Sequence, residues 1–160
     1  MMHILYITLL ACSLLACSQA KNQQQEKTTV SQAVPVTSTP SFNADSAYTY
    51  VENQVKFGPR VPNSQAHKAC GNYLASELKR FGAKVYEQEA TLTAYDNTGL
   101  EAKNIIGSFN PDNNKRILLF AHWDSRPYSD HDPDPANYRK PIDGADDGGS
   151  GVGALLEIAR

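Results

Sequence analysis

The sequence is short of cysteine, of excess charge of either sign, and of apolar runs long enough to span a membrane as a helix. Its three cysteines are Cys12, Cys17 and Cys70. Only Cys70 falls in the part that reads as folded, so no intrachain disulfide is open to that part. Lys and Arg number 15 against 17 Asp and Glu, a net charge of −2. That balance lacks the basic footprint of a nucleic-acid partner. The one extended apolar stretch, residues 4–16, is shorter than the roughly 20 residues a spanning helix needs. With 41% hydrophobic and 20% charged residues, the chain is neither a polytopic membrane protein nor wholly disordered.

What is present begins with that stretch. An apolar run at the N-terminus reads as the core of a secretory signal. It ends in Leu14-Leu15-Ala16-Cys17, which resembles the lipobox of bacterial lipoproteins. The resemblance implies a signal peptide over 1–16, cleavage before Cys17 and a lipid on Cys17. It places the protein in the bacterial cell envelope, anchored in the membrane and facing the periplasm or the surface. Residues 17–41 are rich in Gln, Ser, Thr, Lys and Pro and show no apolar period. They read as a flexible linker that cannot bury enough to order itself.

Residues 42–160 read as α/β. Asn43 or Asp45 can cap a helix with apolar positions Tyr48, Val51 and Val55, and Phe57-Gly58-Pro59 stops it. Asn63 or Ser64 opens a second helix running to about Phe81, with Ala66, Cys70, Tyr73, Leu74 and Leu78 on one face. Gly82 ends it, and Cys70 reads as a small core residue. Alternation predicts strands over 84–95 and 102–109. Asn110-Pro111-Asp112-Asn113-Asn114 is a turn of the kind that joins a hairpin. Ile117-Leu118-Leu119-Phe120-Ala121, apolar on both faces, predicts a central strand covered by helices. After a long loop, Ser150 is a possible cap for a helix carrying Val152, Leu155, Leu156 and Ala159. That helix has no stop signal, and a central strand followed by one helix lacks the parallel strand it should lead to. The expectation is a chain that breaks off inside a larger domain.

The chemistry sits after the predicted central strand. Ligands in open α/β sheets gather at the carboxyl ends of strands. There stand His122 and Asp124, two apart on an extended segment and so on one side of it. A metal-binding imidazole commonly has a carboxylate on its other nitrogen. Asp143-Gly144-Ala145-Asp146-Asp147-Gly148-Gly149-Ser150-Gly151 adds three aspartates before a helix N-terminus. The helix dipole alone accounts for carboxylates there. Aspartates converging with a histidine would instead make a mixed oxygen and nitrogen site suited to zinc. Rival motifs fail on spacing. No Gly-Lys-Ser/Thr follows the glycines, the dinucleotide fingerprint lacks its third glycine, and Val152 stands where a nucleophile elbow needs glycine. Asp130, Asp132 and Asp134 begin like a calcium loop, but Pro135 takes the required glycine position.

In this order, His122-Trp123-Asp124-Ser125-Arg126-Pro127, Gly144-Ala145-Asp146-Asp147-Gly148-Gly149-Ser150-Gly151-Val152 and Leu155-Leu156-Glu157-Ile158-Ala159-Arg160 resemble the zinc-dependent M28 peptidase superfamily. Phe57-Gly58-Pro59-Arg60-Val61-Pro62 is similar to its glutaminyl-peptide cyclotransferase branch. The resemblance implies a three-layer α/β/α fold with a mixed central sheet, of which residues 42–160 supply the N-terminal half. It implies zinc, one ion in a cyclase and two in an aminopeptidase. Asp147 matches a zinc ligand, His122 a ligand of the second zinc in the aminopeptidases, and Asp124 the carboxylate behind the histidine; in the cyclases, which resemble single-zinc sites, His122 need not bind metal. Asp146 stands where relatives often have Asn or Thr and takes no ligand role. A glutamate ligand, an acid/base glutamate and a distal histidine are expected beyond Arg160.

The activity implied is conversion of an N-terminal glutamine of peptides or proteins to pyroglutamate with release of ammonia. Zinc would polarise the γ-amide carbonyl and the substrate's α-amine would attack it. The alternative is an M28 metallo-aminopeptidase, in which water attacks the first peptide bond, and Gly149-Ser150-Gly151 looks more like that form of the loop. A third reading is a non-catalytic envelope binding module on the same fold. On any of them the 160-residue chain alone is expected to be inactive and poorly stable.

Overall fold

Asn43 has extended backbone angles, and its Oδ1 accepts from the Ser46 N–H at 2.9 Å, so helix α1 starts at the next residue (Ala44–Val55). Ser64 does the same for α2 (Gln65–Arg80), its Oγ accepting from the His67 N–H at 3.0 Å. Both side chains satisfy N–H groups that a helix start leaves without partners. Gly82, at φ +86°, closes α2 as expected, with Lys79 and Arg80 in the last turn. Strands β1 (Lys84–Thr93) and β2 (Gly99–Ser108) form an antiparallel pair, Tyr86 opposite Ile106 and Glu89 opposite Lys103. Helix α3 (Gly151–Ala159) follows a long irregular stretch. The computed structural model describes residues 38–160. The signal over 1–16, Cys17 and the linker to residue 37 lie outside the described residues.

Residues 40–160 make one unit with a core of Tyr50, Cys70, Leu74, Val152 and Leu156, flanked by Phe81, Ile105, Ala121 and Trp123. Burying each large apolar side chain contributes about 1.5–3 kcal/mol. Cys70 is fully buried, as the sequence predicts, and burial pushes its thiol up to about 11. Helices α1 and α3 touch at backbone distance, since a Cβ on Gly153 would stand 2.7 Å from the Ala47 carbonyl oxygen.

The α/β expectation stands, with corrections to individual elements. Tyr48, expected on the buried face of α1, is 67% exposed. The buried positions are Tyr50 and Gln54, because Gln54 donates to the Gly149 carbonyl at 3.1 Å and so turns that face inward. The hairpin turn lies over 94–98, where Ala94 N–H donates to the Thr98 carbonyl at 2.9 Å. The 110–114 turn exists, with Asn110 at φ +44°, but no paired strand follows it. Residues 117–121 join no ladder among the described residues, and Ile117 and Phe120 are 88% and 85% exposed. Continuous apolarity suits a central strand, but a ladder also needs neighbours, and here only the hairpin is paired. Finally, Ser150 does not cap α3. Its hydroxyl donates to the Asp146 carbonyl at 2.7 Å and its backbone is already helical.

Candidate functional site

Ala121 packs against the core, and the chain then leaves it carrying His122, Trp123 and Asp124. Trp123 is the anchor. Its indole N–H donates to the Lys103 carbonyl of β2 at 3.1 Å, and its ring stacks on His67 of α2 at 4.0 Å. With Trp123 turned inward, His122 and Asp124 face the other way, half-exposed. Such alternation is what an extended segment imposes. Burial holds the His67 imidazole below its ordinary value, with Asp124 opposing that shift and Lys103 adding to it.

The second half of the site is the turn over Ala145–Ser150. Asp147 and Gly148 leave helical geometry there, with Gly148 at φ +85°. A β-carbon on Gly148 would stand 2.8 Å from His122 Cε1 and 2.9 Å from Nδ1. The glycine therefore lets the turn lie against the imidazole and aims Asp147 at it. Asp147 Oδ1 is 3.0 Å from His122 Nε2, and Asp124 Oδ1 is 3.4 Å from Nδ1. The structure thus brings together all three residues singled out from the motifs, with the histidine between two carboxylates. Asp146 and Asp143 make no contact with the imidazole within ion-pair distance among the described residues.

This geometry can be tested against zinc. Two ligands at 2.0–2.1 Å from one tetrahedral ion stand about 3.3 Å apart. The 3.0 Å between Nε2 and Oδ1 matches one edge of such a polyhedron. Asp124 on the other nitrogen suits a carboxylate that holds the ring's tautomer and direction. Among the described residues no three acidic, histidine or cysteine side chains form a metal-holding group. Zinc sites take three or four protein ligands, so the donor types fit and the set here is partial.

Sequence reasoning missed two participants. His67 sits behind Trp123, and nothing in a helical pattern marks it. Arg60 is fully buried, and its guanidinium reaches both halves of the site, donating to the carbonyls of Trp123, Asp143 and Gly144. A cation between two prolines in Gly58-Pro59-Arg60-Val61-Pro62 was the available signal. Asp130 pairs with Arg126 at 3.2 Å, and the aspartates at 132 and 134 are spent on local turns. Asp132 and Asp134 accept from the N–H groups of Asp134 and Ala136 at 2.8 and 2.9 Å, which agrees with a surface loop.

The segment carrying both halves of the site is also the one that a family model matches. Residues 104–160 match the model of peptidase family M28. The resemblance read from the motifs is thereby shown over this segment, and solved structures extend it toward the N-terminus. A Zn-dependent exopeptidase from Parabacteroides distasonis is 81% identical at a TM-score of 0.75, covering 76% of this chain and 42% of its own. A glutaminyl cyclase from Tannerella forsythia is 71% identical at the same TM-score and coverage. Aminopeptidase YwaD of Bacillus subtilis is 31% identical over 111 residues, 68% of this chain and 22% of its own length. The fold is that of these zinc exopeptidases and glutaminyl cyclases over the part spanned. The chain spans less than half the length of the solved relatives and about a quarter of the curated ones.

Proposed function

We propose that this chain belongs to family M28 and contributes to a zinc-dependent glutaminyl-peptide cyclotransferase, which converts N-terminal glutamine of peptides and proteins to pyroglutamate and releases ammonia. The observation that carries the metal part is the His122–Asp147 pair at 3.0 Å, backed by Asp124. The cyclase part is supported by high identity to glutaminyl cyclases from Tannerella forsythia and Bacteroides thetaiotaomicron, 71% and 65%. Asp147 would hold zinc with His122 beside it, and zinc when bound supplies Lewis-acid polarisation of a carbonyl. Asp124 keeps the His122 ring turned toward Asp147. Gly148 leaves room for the ring, and Trp123 fixes the segment to β2. The acid/base group and the remaining ligands are assigned to no residue of this chain.

A second reading is favoured by the exopeptidase and aminopeptidase names of two of these relatives. In it His122 is a full ligand of a second zinc and the first residue is removed by hydrolysis. One experiment separates the two. The full reading frame containing this chain is expressed with zinc and incubated with a peptide beginning in glutamine. Mass spectrometry is expected to find loss of ammonia alone, abolished in Asp147→Asn. Loss of the whole first residue would move the protein to the aminopeptidases. An unchanged peptide would favour a binding module and overturn the proposal. Anchoring through Cys17 in the bacterial envelope belongs to the same proposal, motivated by Leu14-Leu15-Ala16-Cys17. A clickable fatty acid should label the protein in cells and fail to label Cys17→Ser.

A further inference from the structure

Arg60 stands on the Gly58–Pro62 segment between α1 and α2, with none of its surface open to solvent. Its Nε donates to the Trp123 carbonyl at 3.1 Å, Nη1 to the Asp143 carbonyl at 2.6 Å and Nη2 to the Gly144 carbonyl at 2.7 Å. Its own carbonyl accepts from the Ser125 N–H at 3.1 Å. Four hydrogen bonds therefore tie one residue to the segment on either side of Trp123 and to the turn leading into Asp147. Among the described residues no carboxylate lies within ion-pair distance of it. An unpaired buried cation opposes folding unless its donors are well used. Packing alone would be served by an apolar side chain of similar volume. The planar fork of a guanidinium is the group that can address several carbonyls in fixed directions at once.

The bonds are placed where the site needs them. The Trp123 carbonyl lies between His122 and Asp124, and Gly144 opens the turn that delivers Asp147. Gly149 N–H closes that turn on the Gly144 carbonyl at 3.2 Å, and Gln54 holds the Gly149 carbonyl from the far side. We propose that Arg60 is a positioning residue: its guanidinium sets the spacing between the His122 segment and the Asp147 turn at the value the zinc site requires. This rests on the zinc reading above and adds a residue that touches neither metal nor substrate.

The test uses the complete protein, zinc-free and then titrated by competition with a chromophoric chelator, well below each variant's unfolding midpoint. Arg60→Lys keeps the charge and loses the fork. It is expected to weaken zinc binding 10–100-fold, the usual cost of losing an outer partner of a ligand. At saturating zinc, kcat for the glutamine peptide is expected to fall while KM stays. A residue that only supports the fold would lower the unfolding midpoint and leave zinc affinity unchanged. Should Arg60→Lys fail to fold, Arg60→Gln decides, since it keeps an amide donor and loses the three-way fork. It is expected to weaken zinc in the same range. Wild-type affinity in both variants, with zinc lost in Asp147→Asn, overturns the positioning role and leaves the zinc site standing. Wild-type affinity in Asp147→Asn overturns the zinc reading itself, and the positioning role with it.

Discussion

Gly148 and Gly82 have almost the same backbone angle, φ +85° and +86°, in unlike surroundings. A β-carbon on Gly82 would meet nothing within 4 Å, whereas on Gly148 it would stand 2.8 Å from the His122 ring. The pair separates two reasons for a glycine. Left-handed backbone costs a non-glycine residue about 1–2 kcal/mol wherever it occurs. Crowding of His122 is an added effect that only Gly148 carries. Gly82→Ala in the complete protein is therefore expected to lose about 1–2 kcal/mol in urea denaturation and keep its zinc affinity. Gly148→Ala should lose at least as much stability and also bind zinc at least about tenfold more weakly, because the ring is pushed off Asp147. Equal zinc affinity in the two variants would show that the close approach to His122 is incidental. Residue-scale chemistry was legible where it was local in sequence. His122 and Asp124 share a side through strand alternation alone, and Asp147 stands in a glycine-rich turn before a helix. Arg60 was not, since its partners lie 63, 83 and 84 residues away.

At the scale of elements, the helix starts were legible because a cap is a local bargain between one side chain and the next turn. Asn43 and Ser64 both make it. What the caps could not reveal is how α1 and α3 are joined. Glu157 of α3 is buried and accepts from the Asn43 N–H of the α1 cap at 2.8 Å, and it also pairs with Arg160 at 2.7 Å. The Arg160 hydrogen bond first, and the Asn43 N–H second, hold its carboxyl below the ordinary 4.5. A carboxyl lowered on folding releases its proton more readily in the folded state. Its stabilisation is complete above the ordinary value and is lost as pH falls through the lowered one. Urea midpoints measured across that acid range should therefore fall more steeply for the wild type than for Glu157→Gln. Parallel curves would mean the carboxylate adds nothing to the join. The run at residues 117–121 shows the opposite limit. Its apolarity was visible, but pairing is a property of neighbouring strands, and among the described residues β2 is paired only with β1.

At the scale of the whole molecule, the described residues leave an apolar surface uncovered and a metal-ligand set incomplete. Ile117, Leu118, Leu119 and Phe120 are all more than half exposed, and together they line clefts against β2 and α3 with Ile105 and Leu155. Contiguous apolar surface of this kind drives association when nothing covers it. The site is in the same condition, with two donors where zinc takes three or four. Both deficits predict the behaviour of the 160-residue chain by itself, expressed with Cys17→Ser to avoid acylation. It should bind a hydrophobic dye and self-associate in sedimentation, and Leu118→Lys with Phe120→Lys should reduce both. Its zinc affinity should fall short of the complete protein's by more than the about 100-fold cost of losing an outer partner, because direct ligands are missing. It should release no ammonia from a glutamine peptide. The two deficits separate in the double lysine variant, which ought to recover solubility without recovering zinc. Tight zinc binding with turnover by the chain alone would mean that His122, Asp147 and residues not assigned here already complete a site, and the partial ligand set would have to be abandoned.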